Sequence, residues 1–262
     1  EPVYGPTYLP RKFKIGIAVP PVNDVDVFSQ DLGYIAIIEN GELLGYNLLA
    51  GGGMGSTHGD QRTYPRLADV LGFIHPDQVI AAAEAVLTVQ RDFGNRSDRK
   101  LSRLKYTIDS RGLAWFKAQV EQRLGEALSP ARAFEFDHSG DRFGWVEGLA
   151  GHWHLGLRIE SGRIADRDRQ QALTGLREIA KIHSGDFRLT PNQNLIIASV
   201  PERQRSAIDA LVAKYGLDNY QHSSAMRLYA LACVAFPTCT LAMAEAERYL
   251  PDFLSKVEAL LD

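Results

Sequence analysis

Apolar and polar positions alternate over residues 12–19, the period of a half-buried strand. Two further apolar runs, residues 34–38 and 43–49, flank Asn40-Gly41, a dipeptide that accepts the positive φ angles of a tight hairpin turn. The opening of the chain is therefore expected to be sheet. Beyond Gly51-Gly52-Gly53 and a polar loop, Pro76 and Asp77 predict a helix start, with Ile80, Ala83 and Leu87 on one face and a stop near Gly94. A second helix is expected over residues 113–124, ended by Gly125.

Turn formers and charges crowd residues 130–144, and periodicity restarts after them, which places a domain boundary near Asp137. Trp153, Leu155, Leu157 and Ile159 alternate with His154, Gly156, Arg158 and Glu160, predicting a strand that turns at Ser161-Gly162. A helix with Leu176, Ile179 and Ala180 on one face follows. Then come an extended run at 195–200 and a helix after Pro201, carrying Ile208, Leu211, Val212 and Tyr215 ahead of Gly216. Strands, helix, strands, helix in that order predict a small two-layer α+β unit of ferredoxin-like type. The last block, from Gln221, holds both cysteines and then a helix-forming stretch, 241–250, closed by Pro251.

Composition narrows the function classes. With 262 residues, 45% hydrophobic and 23% charged, the chain has room for one large or two ordinary domains. A net charge of -3 supplies no global basic field, so nucleic acid is not an expected partner, although Arg96, Arg99 and Arg103 form a local cluster. No apolar run approaches the roughly 20 residues of a membrane helix, and no membrane partner is expected. The amino end, EPVYGPTYLPRKFK, has neither an initiator Met nor an apolar signal region, so the chain is expected to be an internal piece. Only Cys233 and Cys239 are present, too few for a secreted disulfide scaffold, which points to a reducing compartment, the cytoplasm.

Four features carry candidate chemistry. Cys233 and Cys239, with five residues between them, could open a metal or cluster site or could be two buried structural thiols; zinc or a 4Fe-4S cluster ordinarily needs four ligands. Lys12 and Lys14 would project from one face of a strand with Arg11, Phe13 and Ile15 on the other. Such a pair suits a small oxyanion that gains electrons, or it discourages pairing at an edge strand. Gly51 to Gly53 permit close approach of the backbone to a ligand, or simply a wide turn. Gln193 and Asn194 offer donors and acceptors to carboxylates, or serve as turn and cap residues. No zincin, nucleophile-elbow or Walker motif occurs, so hydrolase readings find no support.

The segments TYLPRKFK, NLLAGGGMGSTHG, QRDFGNRSDRKLSRLKY, KIHSGDFRLTPNQNLII and ACVAFPTCTLAMAEAERYLP, in this order over essentially the whole chain, resemble the siroheme sulfite and nitrite reductase family. The resemblance is to the hemoprotein subunits of its assimilatory, NADPH-dependent sulfite reductase branch. It implies an α+β fold, a mixed-sheet sulfite/nitrite reductase repeat followed by a ferredoxin-like half-domain. The implied division is 1–136 for the first catalytic repeat, 137–220 for the half-domain and 221–262 for the truncated start of a second repeat. The implied activity is six-electron reduction of sulfite to sulfide at siroheme coupled to a 4Fe-4S cluster, in sulfur assimilation and cysteine biosynthesis, with nitrite reduction the alternative. Cys233 and Cys239 match the family's first pair of cluster cysteines, and the second pair is not in the chain. Lys12 and Lys14 match its two sulfite-facing lysines, and Arg11 a siroheme neighbour. Gly51, Gly52, Gly53, Gln193 and Asn194 match segments lining the siroheme. The implied electron donor is a separate flavoprotein (alpha) subunit. With half of the cluster cysteines, the chain by itself is expected to be inactive, or to act as a cofactor-free scaffold.

Overall fold

The computed structural model describes residues 2–167 and 170–261; Glu1 and Asp262, the ends of the expected domains, lie outside them. The chain divides into two compact units, Glu1–Ser139 and Gly140–Asp262.

In the first unit, β1 (Ile15–Ala18) runs parallel to β3 (Leu32–Glu39), while β4 (Glu42–Ala50) and β5 (Asp69–Ile74) continue the sheet antiparallel in the order β1-β3-β4-β5. A short bridge joins β2 (Val22–Asn23) to β6 (His138–Ser139). Asn40 and Gly41 take φ values of 53° and 82°, the two positive angles that let Glu39 pair with Glu42 across a two-residue turn. The first six residues of β3 are all buried because both faces of the sheet are covered. Tyr34 and Leu48 face α1 (Val79–Phe93), α2 (Leu104–Arg111) and α3 (Leu113–Leu124), whereas Ile35 and Leu49 pack with Val27, Phe134 and Phe136 on the other side.

Three expectations change here. The strand predicted for 12–19 begins only at Ile15, so Arg11, Lys12, Phe13 and Lys14 precede it. The physical reason is that Lys14 spends its N–H on the Asp31 carboxylate (2.9 Å), so only its carbonyl, which accepts the Leu32 N–H, reaches the sheet. Helix α1 buries Ala82, Ala85, Val86 and Val89, not the face of Ile80, which is 70% exposed. That buried stripe meets Phe116 and Val120 of α3. Helix α2, capped by nothing conspicuous in the sequence, was absent from the predicted elements.

In the second unit, β7 (Gly144–Glu147), β8 (His152–Leu157), β11 (Asp186–Leu189) and β12 (Leu195–Pro201) form an antiparallel sheet in the order β11-β12-β8-β7. A short hairpin joins β9 (Asp166–Arg167) to β10 (Gln170–Gln171). Helices α4 (Ala172–Ile182) and α5 (Glu202–Lys214) close one core with the sheet, around Leu155, Ile179, Ile197, Ile208 and Val212. The ββαββα order is the one expected. On α4 the buried face is Ala172, Gly175, Leu176 and Ile179, with Ala180 exposed.

The terminal block departs most from expectation. After the short α6 (Ala225–Tyr229), residues 241–249 are turns, and α7 runs Leu250–Leu261. Pro251 opens this helix instead of closing one, since a first-turn N–H has no intrahelical acceptor to lose. Among the described residues, no helix is long and apolar enough to cross a membrane.

Candidate functional site

The first unit gathers cations around a cavity of about 350 Å³ lined by Arg11, Lys12, Arg99, Lys100, Arg103 and Lys105, with Thr57 and Tyr106 among its walls. Two stretches distant in sequence supply them. Residues 11 and 12 come from the segment ahead of β1. Residues 99–105 come from the 3-10 turn at Arg99–Leu101, which Asp98 caps by accepting the Lys100 N–H, and from the start of α2. Of the local cluster noted at Arg96, Arg99 and Arg103, the last two therefore belong to this site, whereas Arg96 donates to the Thr7 and Tyr8 carbonyls; the Arg103 partner Asp31 had no sequence signal at all.

Asp31 is fully buried and accepts Arg103 at two points, Nε at 3.0 Å and a terminal nitrogen at 2.8 Å, besides the Lys14 N–H. Lys100 pairs with Asp60 at 3.3 Å. Among the described residues, Arg11, Lys12 and Arg99 enter no ion pair, so the cavity keeps uncompensated positive charge. Lys14, Lys12's largest perturbing charge, holds the Lys12 ammonium below the ordinary lysine range, ahead of burial and of Arg103 and Arg11. The pair does not stand on a strand face, since both residues precede β1, and only Lys12 lines the cavity.

Gly51, Gly52 and Gly53 are buried and approach the protein's own backbone. A Cβ on Gly52 would lie 2.2 Å from the Phe28 carbonyl oxygen. Gly53 pairs both ways with Arg66, and its carbonyl accepts the Lys105 ammonium at 2.9 Å. Gly55 (2.8 Å) and Tyr64 supply the other two carbonyls, so three acceptors meet the three N–H donors of a lysine that is 1% exposed. Burial lowers the Lys105 pKa. This knot folds the 53–64 loop beside the cavity. The glycine run is thus a close-approach element whose contacts are internal.

In the second unit, Gln193 and Asn194 line a cavity of about 260 Å³ with Ser161, Gly162 and Thr190. Asn194 is committed: Oδ1 accepts the Ile159 N–H at 3.0 Å, and Nδ2 donates to Asp141 and Asn192. Gln193 takes φ 66° and donates Nε2 to the Ala232 carbonyl at 2.8 Å. Its buried Oε1 and the Ser161 Oγ have no partner. Cys233 is exposed and Cys239 half-buried, so neither is a buried structural thiol. Cys233 also lines an apolar cavity with Leu231, Tyr249 and Phe253.

The donor sets test the implied groups. Unpaired Arg11, Lys12 and Arg99 fit a polycarboxylate such as siroheme. Gln193's remaining buried oxygen is an acceptor and fits a donor, not a carboxylate. The two thiols fit half of a cluster's ligands; among the described residues no three His, Cys, Asp or Glu converge on one point.

Comparison with known proteins bears on these features. Residues 1–128 match the nitrite and sulphite reductase 4Fe-4S domain, and 147–215 the nitrite/sulfite reductase ferredoxin-like half domain. A protein of Geobacillus kaustophilus named sulfite reductase (NADPH) hemoprotein beta-component is 63% identical over 262 residues, all of this chain and 46% of its own length. Proteins of the same name from Myxococcus xanthus and Bacillus subtilis are 62% and 59% identical, over 98% and 100% of this chain and 46% of each relative. The chain spans about half the length of these relatives. A solved structure, the Mycobacterium tuberculosis NirA protein, superposes with a TM-score of 0.81 at 27% identity, covering 97% of this chain and 45% of that one.

Proposed function

Because the chain belongs to the nitrite and sulphite reductase family, we propose that the protein it is part of reduces sulfite to sulfide in six one-electron additions. The observation that carries this reading is the cavity whose Arg11, Lys12 and Arg99 charges are unpaired, a site built for an anion that becomes more electron-rich. Siroheme and a 4Fe-4S cluster, when bound, would pass electrons from a separate donor to the anion.

The chain's own residues orient and neutralise. Lys12 and Lys14 are the proposed sulfite-facing cations. With its pKa lowered by Lys14, Lys12 Nζ gives up a proton to an anion oxygen more readily than an isolated lysine does. Arg11 is the proposed partner of a siroheme carboxylate, and Gly51, Gly52 and Gly53 are proposed to act on the site indirectly, through the Gly53 carbonyl that holds Lys105. Gln193 and Asn194 are proposed siroheme-lining residues that act through the shape of the turn they build. Cys233 and Cys239 are the proposed cluster ligands, the remaining donors coming from outside this chain's cysteines.

The proposed division is a first catalytic repeat over 1–136, a ferredoxin-like half-domain over 137–220 and the start of a second repeat over 221–262. The proposed electron donor is a flavoprotein (alpha) subunit, as the beta-component name of the relatives suggests. The small number of cysteines, two in 262 residues, supports a reducing, cytoplasmic setting. Nitrite fits the same cationic cavity and the family covers both anions, whereas the close relatives carry the sulfite name.

The test is visible absorption, iron content and steady-state turnover of both anions, on protein of the relatives' full length and on this chain. Siroheme absorption, cluster iron and faster sulfite turnover are expected at full length, with this chain colourless. A colourless full-length protein would overturn the reading.

A further inference from the structure

Cys233 and Cys239 lie in a loop that the main chain closes on itself. The Glu247 N–H donates to the Cys233 carbonyl at 3.2 Å, the Phe236 N–H to the Ala244 carbonyl at 3.4 Å, and the Cys239 N–H to the Ala235 carbonyl at 2.8 Å. The outer part of this loop is barely packed: Leu241 is 89% and Met243 95% exposed. What order it has must come from its neck.

Two side chains fix that neck to the body of the second unit. The Glu247 carboxylate, only 3% exposed, accepts Arg163 at two points, one terminal nitrogen to Oε2 at 2.8 Å and Nε to Oε1, with Arg167 at 3.9 Å. Gln193 donates to the carbonyl of Ala232. Cys233 is therefore gripped through the residue before it and through its own carbonyl. Burying a carboxylate is costly unless it is paired, so the loop can close in this way only with Arg163 in place.

We propose that Glu247, held by Arg163, is a positioning residue that sets Cys233 and Cys239 in place before any metal arrives. This rests on the reading of the two cysteines as cluster ligands. Glu247 touches neither thiol; it acts by fixing the main chain of Cys233.

Amide hydrogen exchange and per-cysteine alkylation by iodoacetamide, on the purified chain, test the proposal. Arg163→Gln is the informative variant because that side chain is 45% exposed and its loss leaves little void; Glu247→Gln is the isosteric check. Exchange at the Cys239 and Glu247 amides is expected to rise roughly tenfold in either variant and no further in the double variant. The alkylation rates of the two thiols shift with it, Arg163→Lys recovers part of the protection, and β12 and α5 amides keep their rates. Unchanged exchange in Arg163→Gln overturns the proposal, and so does a loss of protection that extends equally to β12 and α5. Iron content of Cys233→Ser in full-length protein decides the ligand reading separately: undiminished iron overturns that reading, whatever the exchange result.

Discussion

Asp31 and Arg103 stand 72 positions apart in sequence and meet as a two-point ion pair inside the first unit. Asp31 is fully buried and Arg103 13% exposed in its side chain. The carboxylate also takes the Lys14 N–H, so one group orients the segment carrying Lys12 and the arginine at the cavity wall.

Removing that carboxylate leaves the half-buried Arg103 guanidinium and the Lys14 N–H without their acceptor. Asp31→Ala is expected to lower the unfolding free energy by about 3–5 kcal/mol. The measurement is the urea midpoint of the chain; a change under about 1 kcal/mol would put the pair in the class of solvent-screened surface bridges.

Lys12 gives a pH prediction with a definite sign. Its folded-state pKa lies below the ordinary 10.5, so between the two values the unfolded chain binds more protons, and this group makes stability rise with pH across that window. Sulfite affinity is expected to fall over the same window as the ammonium is lost. Lys14→Met removes the largest cause and should move the Lys12 titration back up toward the ordinary value, read by NMR of the Nζ signals. An unmoved titration would mean that the two lysines do not act as a pair.

Gly52 has no room for a methyl group, because the atom it would meet, the Phe28 carbonyl oxygen, belongs to the main chain and cannot swing aside. Gly52→Ala should therefore cost about 1–3 kcal/mol, and should weaken sulfite binding as the neighbouring Gly53 to Lys105 contact shifts. Full retention of both stability and binding would show that the 51–53 wall is looser than its contacts imply.

Pro251, at the start of α7, should be dispensable to the helix. Pro251→Ala is expected to change stability by less than about 1 kcal/mol, chiefly through the unfolded chain. Far-UV circular dichroism should stay at the wild-type level; a drop in helix content would show that the ring sets the helix start.

Local rules made much of the fold legible. Asn40-Gly41 specifies its turn through the φ angles those residues tolerate, Gly125 ends α3 in the left-handed region, and period-two alternation marks β8. Each depends on near neighbours in the chain. Helix faces were less legible: Ile80 and Ala180 fit an apolar stripe as well as their neighbours do, and only packing against α3 and the second sheet selected the stripe that is buried.

The sequence by itself determined the site's inventory: Arg11, Lys12 and Lys14 in one segment, the basic run at 99–105, and two thiols in one loop. Tertiary structure alone decided which charges are cancelled. Arg103 is neutralised by Asp31, Glu247 is buried against Arg163, and Arg11 and Lys12 are left unpaired. The reason is physical: composition and spacing fix where charges lie along the chain. A Coulomb interaction instead depends on distance and burial in space, and these partners are brought together across 72 and 84 positions by the packing of the cores around them.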